Sequence, residues 1–187
     1  MSYPPKAESV DINGASDGFV PMLAFQPEVL QGGYTRLAIS TPADRLGHVH
    51  QMLVGAMTPP LKVRYVKMTD RSRGQLPKPE SLIAVELSRE RVLDALKACS
   101  RLLYHDGRNQ LWIQGAIDSE QLVLEEIGMI YSYPDDFAFR DVLTNAGFIE
   151  AAHESLASRD YIKVNFLAEA DAEEVDFIRR LALIAWQ

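Results

Sequence analysis

Cysteine is almost missing from this chain. Among 187 residues there is one, Cys99, so no disulfide can close within it. Such usage fits a reducing compartment, and a cytoplasmic location is expected. Long apolar runs are missing as well. The longest near the C-terminus, Leu181 to Trp186, is far too short to span a bilayer, so no membrane partner is expected. The opening Met-Ser-Tyr-Pro-Pro-Lys has no apolar stretch of the kind a secretory leader carries. Motifs of known chemistry are also absent: there is no H-E-x-x-H, C-x-x-C or G-x-S-x-G. The glycines at Gly14, Gly18, Gly32 and Gly33 do not form a phosphate loop. Neither pair precedes Lys-Ser/Thr at a helix start or follows a strand at dinucleotide spacing. No cofactor and no metal are therefore expected.

What is present belongs to an ordinary globular protein. The apolar fraction is 47% and the charged fraction 24%, which is typical of a folded domain. A chain of this length buries roughly 70% of its unfolded surface and needs no staple. Net charge is −7, which disfavours nonspecific contact with nucleic acid. The charge is unevenly spread. Residues 1–116 carry 14 basic and 11 acidic side chains, a net of +3. Residues 117–187 carry 5 basic and 15 acidic ones, a net of −10.

Organisation follows from punctuation and period. Residues 1–34, rich in Pro and Gly, show no sustained period and read as an extended arm. Its segment Phe19 to Phe25 is too apolar for a free tail and is expected to lie on its own domain or on a neighbour. Residues 35–187 read as a single α/β domain. Strands are predicted over 35–40, 61–68, 81–87, 111–117, 122–133 and 161–168. A helix over 42–57 carries Leu46, Val49, Leu53 and Met57 on one face, with Thr41 as its cap and Pro42 at its first position. Ser88 caps a second helix, with Val92, Leu96, Cys99 and Leu103 inward and Gly107 at its stop. Asp135 and Asp136 open a third, with Phe139 and Leu143 inward. Asp171-x-x-Glu174 resembles a capping box for a last helix reaching Ala185. The order of elements predicts an α/β (α+β) two-layer sandwich. It is built on a split βαβ, ferredoxin-like pattern and extended by further strands and two C-terminal helices. That class is shared by many unrelated functions.

Candidate functional residues are few. His48 and His50 share a helix, where i and i+2 point apart, so they do not make a metal pair. Cys99 sits in an apolar stripe and reads as core. His105 and Asp106 close a helix, and Asp135 and Asp136 occupy a first turn where acidic residues are favoured anyway. These four are the candidates for a small enzyme with a scattered His/Asp site, which requires a pocket that gathers at least two of them. The most distinctive feature is a basic segment: Lys62, Arg64, Lys67, Arg71, Arg73 and Lys78, opposed only by Asp70. It suits an anion or an acidic protein. Nucleic acid is disfavoured, because Tyr65 is the only aromatic residue in the stretch. The end of the last helix, including Leu183 and Trp186, is apolar on more than one face and suggests contact with another subunit. The leading expectation is a non-enzymatic interaction module of chaperone-like, immunity-like or assembly type. It would have a protein partner and a possible homo-oligomer.

Overall fold

A computed structural model describes residues 3–69, 79–117, 120–163 and 167–186. The chain is a mixed α/β protein with one large, mainly antiparallel sheet and, among the described residues, five α-helices. The strands are β1 (Ala7–Ser9), β2 (Ala24–Val29), β3 (Thr35–Ser40), β4 (Leu61–Lys67), β5 (Glu80–Leu87) and β6 (Asn109–Gln114). They continue with β7 (Gln121–Leu124), β8 (Ile130–Tyr133), β9 (Ile149–Glu150), β10 (Tyr161–Lys163) and β11 (Ile184–Ala185). The helices are α1 (Ala43–Ala56), α2 (Arg89–Ala98), α3 (Ser100–His105), α4 (Phe137–Asn145) and α5 (Ala168–Leu181). Nine strands form one sheet in the order β11-β5-β4-β6-β7-β8-β3-β2-β9, and β1 pairs with β10 in a separate ribbon.

Alternation along the strands divides the side chains between two faces. Leu37 and Ile39 of β3, Leu61, Val63 and Tyr65 of β4, Leu111 and Ile113 of β6, and Leu122 and Leu124 of β7 enter the main core. The helices cover that face. Val92, Leu96, Phe139, Leu143 and Phe177 are their buried contributions. The Phe177 ring meets Tyr65 edge-on at 5.6 Å, and burying such a side chain stabilises by about 2–3 kcal/mol. On the opposite face, Ala38, Val123 and Tyr131 join Ile127, Met129, Leu156 and Ala7 in a smaller cluster. Among the described residues the β1–β10 ribbon contributes Ala7 and lies over the β7-β8-β3 half, with Trp112 of β6 packed at the margin of that cluster. The strand pairings align one row across this second face: Ile184, Ile83, Arg64, Trp112, Val123, Tyr131 and Ala38. The first four of these lie on the half the ribbon leaves open.

The sandwich class stands, but the strand order is not ferredoxin-like. In a split βαβ unit a single strand separates the two strands that the first helix joins. Here α1 joins β3 to β4, and three strands, β6, β7 and β8, lie between them. The expected strand over 122–133 is interrupted. Glu125 and Met129 pair across a turn in which Gly128 takes φ +86°, so the run folds back as a β7–β8 hairpin. The first 34 residues also differ from an unstructured arm: β1 and β2 form there, and β2 pairs with β3 over six residues.

Local side-chain caps explain the starts of α2 and α4. Ser88 accepts the Arg91 amide at 3.2 Å, as an N-cap should. Ser88→Ala is therefore expected to cost about 1 kcal/mol, read as a lower urea midpoint with unchanged slope. The helix expected to run on to Gly107 instead breaks at Cys99, giving α2 and α3. Buried Glu173 of α5 accepts the amide of Leu102 at 3.0 Å, satisfying one of the N–H groups the break exposes. Arg101 pairs with the same carboxylate. Asp171 and Glu174 do not cap α5, whose N-cap position is Leu167. The last helix does not reach Ala185 either. It stops at Leu181 because Ala182 turns into the left-handed region at φ +55°, and Ile184–Ala185 then pairs with β5.

Candidate functional site

The basic segment and the C-terminal tail meet on the open half of the sheet. Lys62 and Arg64 lie on β4 with their side chains away from the helices, because Leu61, Val63 and Tyr65 take the core face. Ala182 reverses the chain so that Trp186 lands beside them, its amide donating to the Ser81 carbonyl at 2.9 Å. The Arg64 guanidinium stands 4.4 Å from the Trp186 ring centroid and 5.6 Å from that of Trp112. Its Nε and Nη2 donate to Ser81 Oγ at 3.2 and 3.0 Å. Together with Lys62, Ile83, Gln114 and Gln121, these residues line a shallow groove of about 180 Å³. Ile184 and Trp186 beside it are 68% and 52% exposed.

The charge balance of this face is unusual within the molecule. Arg36, Arg101, Arg108, Arg140, Arg159, Arg179 and Arg180 each pair with a carboxylate. Arg89 and Arg91 donate to backbone carbonyls. Among the described arginines only Arg45 and Arg64 lack both, and Arg45 is not placed against aromatic rings. No described carboxylate pairs with Lys62 or Arg64. A guanidinium held between two indoles is fixed in place and keeps an edge for an incoming anion.

Comparison of the chain with family models, curated proteins and solved structures finds no match in any of the three. The site is therefore read from its own chemistry.

The other predicted site residues fall elsewhere. Lys67 turns inward and pairs with Glu174 at 3.0 Å, with Tyr65 donating to the same carboxylate at 2.8 Å, so it pins α5 to the sheet. Arg71, Arg73 and Lys78 lie outside the described residues. Leu183 is 6% exposed and belongs to the core, which corrects its expected place in a contact surface. The four acid–base candidates are each taken up by a different structural task. The His105 ring nitrogen Nδ1 lies 2.8 Å from the Pro4 carbonyl. Asp106 is buried and accepts the Arg108 and Leu167 amides. Asp135 grips Arg140 through two 2.6 Å bonds. Asp136 caps α4 through the Ala138 amide at 2.7 Å. Among the described residues no group of three His, Cys, Asp or Glu is placed to hold a metal, and no helix is long and apolar enough to cross a membrane. Burial pushes the Cys99 thiol up to about 11, far from a reactive thiolate.

One polar cluster had no sequence signal. Lys6, from the arm, is fully buried, and its Nζ donates to the carbonyls of Leu103 (2.9 Å) and Asn109 (3.2 Å) and to Asn109 Oδ1 (3.1 Å). Burial lowers its pKa to about 7, against the opposing pull of Asp106 and Glu126. His50 Nδ1 lies 3.1 Å from the Tyr104 hydroxyl, and its Nε2 has no partner. Burial first, and the Lys6 charge second, hold His50 neutral with a pKa near 3. Gly47 admits the Tyr104 ring: a Cβ there would stand 2.9 Å from it. Nearby, Arg108 Nη1 pairs with Asp171 at 2.7 Å. Its Nε faces Asp106 Oδ1 at 3.0 Å without hydrogen-bond alignment. Every charge here has a structural counterpart, so the cluster holds the arm, α3 and α5 together.

Proposed function

We propose that this chain is a non-enzymatic binding protein that meets a protein partner through the open half of its large sheet. The observation that supports the reading is Arg64, set against Trp112 and Trp186 and, among the described residues, with no carboxylate partner. Tryptophan and arginine dominate the energetics of protein interfaces, because one supplies rigid apolar area and the other a planar set of donors. Exposed Ile184 extends the apolar part of the face, and Lys62 adds a second cation with no carboxylate partner among the described residues. The complementary partner presents a carboxylate beside an apolar side chain. The individual dispositions of His105, Asp106, Asp135 and Asp136 favour binding over acid–base catalysis.

The test uses the full chain as bait in extracts of its own source cells, beside Arg64→Glu and Trp186→Ala. Any captured protein is then purified and its affinity measured directly. Each substitution should weaken binding by about 2 kcal/mol or more, with circular dichroism unchanged. A purified partner that binds all three baits equally would remove this face from the function. A nucleic acid recovered instead, with affinity falling steeply in salt, would replace the protein reading by an anion-binding one.

A further inference from the structure

We propose that the groove beside Arg64 receives the C-terminal residue of the partner, an apolar residue held by its free α-carboxylate. The proposal rests on the binding reading above and names the part of the partner that the groove takes.

Three properties of the groove select that ligand. The first is size. Its volume is about 180 Å³, below the roughly 300–1,000 Å³ of pockets that enclose a whole small molecule. A hollow of that size suits one residue of a larger molecule. The second is charge. Lys62 and Arg64 both line the groove, and among the described residues it has no acidic lining and neither cation has a carboxylate partner. The two stand two apart on β4, so their side chains leave the same face with roots roughly 6–7 Å apart. A carboxylate has one oxygen for each. The third is the wall. Ile83, Trp112 and Trp186 offer apolar surface beside the cations.

Arg64 is set to receive such a group. Ser81 Oγ accepts from its Nε and Nη2, while Nη1 has no acceptor among the described residues. The edge formed by Nη1 and the second Nη2 proton therefore stays open to a carboxylate. The two indoles and the Ser81 hydroxyl already fix the guanidinium, so little side-chain freedom is lost when the anion arrives.

Size and mixed chemistry together decide which carboxylate it is. An internal Asp or Glu spends its side chain on the charge. The apolar contact must then come from a second residue, for which a one-residue groove has no room. An apolar C-terminal residue carries the carboxylate and the hydrophobic side chain on one Cα. Capture of a chain end by its carboxylate is an established mode of peptide recognition.

The chain has two tryptophans, and both line the groove, so intrinsic fluorescence reports its occupation. The full chain is titrated with acetyl-Gly-Gly-Ser-Leu bearing a free C-terminus, and with the same peptide amidated. A third peptide, amidated acetyl-Gly-Leu-Glu-Gly, presents an internal carboxylate beside leucine. Saturable binding of the free acid is expected, with each of the other two weaker by about tenfold or more. Arg64→Gln should cut the acid's advantage over its amide about tenfold, and Lys62→Gln should act in the same direction. Trp186→Ala removes part of the wall and leaves Trp112 as the reporter, so it should weaken acid and amide alike. Equal affinity for acid and amide, or an internal-glutamate peptide that matches the acid, would overturn the proposal whatever the variants do. No binding of the acid, beside a captured partner that Arg64→Glu still loses, would overturn the C-terminal assignment and leave the binding face standing. A partner that binds every bait equally would remove the face and the assignment together.

Discussion

Asp106→Ala is expected to destabilise the fold by about 3–5 kcal/mol, the usual consequence of removing one partner from a buried charge pair. The carboxylate is fully buried. Oδ1 accepts the Arg108 amide at 3.0 Å and stands the same distance from Arg108 Nε, and Oδ2 accepts the Leu167 amide at 3.2 Å. Alanine leaves two amides without acceptors and strips a nearly buried guanidinium of one of its counter-charges. Asp171 at 2.7 Å remains, which keeps the loss from being larger. Burial is the main influence on the Asp106 carboxyl and raises its pKa, with Arg108 pulling it back down. Asp106→Asn, which retains an acceptor but not the charge, should therefore lose less than the alanine variant. Urea unfolding of the three proteins measures both differences. A loss under about 1 kcal/mol for alanine would mean that Asp106 is not needed to join α3, β6 and α5.

The second large effect is a dependence of stability on pH that traces to Lys6. Its pKa is about 7 in the folded chain against an ordinary 10.5. Between these values the unfolded chain binds the proton and the folded chain does not. This group's contribution to stability therefore rises with pH from about 7 towards 10.5, is lost as pH falls back from 10.5 to 7, and is constant below 7, where both states hold the proton. The expected rise is on the order of a few kcal/mol, because each pKa unit corresponds to about 1.4 kcal/mol. In Lys6→Met the unfolding midpoint should lose this rise between about pH 7 and 8.5, below the range in which buried Cys99 and Tyr104, whose pKa values are raised, oppose it. At neutral pH the variant trades two effects, since it sheds a buried cation but leaves three acceptors unpaired. The slope is thus the sharper test. A wild-type curve as flat as the variant's would show that Lys6 keeps its ordinary affinity for the proton.

Much of the fold could be read from local pattern. Ser88 and Asp136 announce α2 and α4 because capping depends on neighbours in sequence. The α1 stripe of Leu46, Val49 and Leu53 faces the core as its spacing requires. Elements decided by distant contacts were hidden. Leu181 to Trp186 is apolar enough to continue a helix. Only the left-handed turn at Ala182, an alanine where glycine would be the usual signal, and the waiting edge of β5 divert it. The break at Cys99 is equally silent, because Glu173, which meets an amide exposed there, lies 71 residues after Leu102.

The candidate site was half legible. Lys62 and Arg64 stood out by charge, and Trp186 by its place in an apolar run, but nothing in the sequence joined them. Trp112 could have been found: in Leu111-Trp112-Ile113 strict alternation puts the indole opposite the core. Lys6 could not, since a lysine after two prolines in an irregular arm reads as solvated, and only the socket formed by Leu103 and Asn109 says otherwise.

The tail strand has a consequence for how copies of this protein behave in a crowded solution. β5 is eight residues long and would be an outer strand of the main sheet without β11, an invitation for another chain to add a strand and begin an aggregate. Ile184–Ala185 occupies the middle of that margin, pairing with Ile83 and Leu82. Farther along, Val85 and Glu86 together oppose Lys62 alone, and Glu86 adopts φ +56°, so the strand bulges out of line. No long straight run of free amides and carbonyls is left for a neighbour to zip onto. The two-residue β11 thus occupies backbone groups of β5 that another chain could otherwise extend.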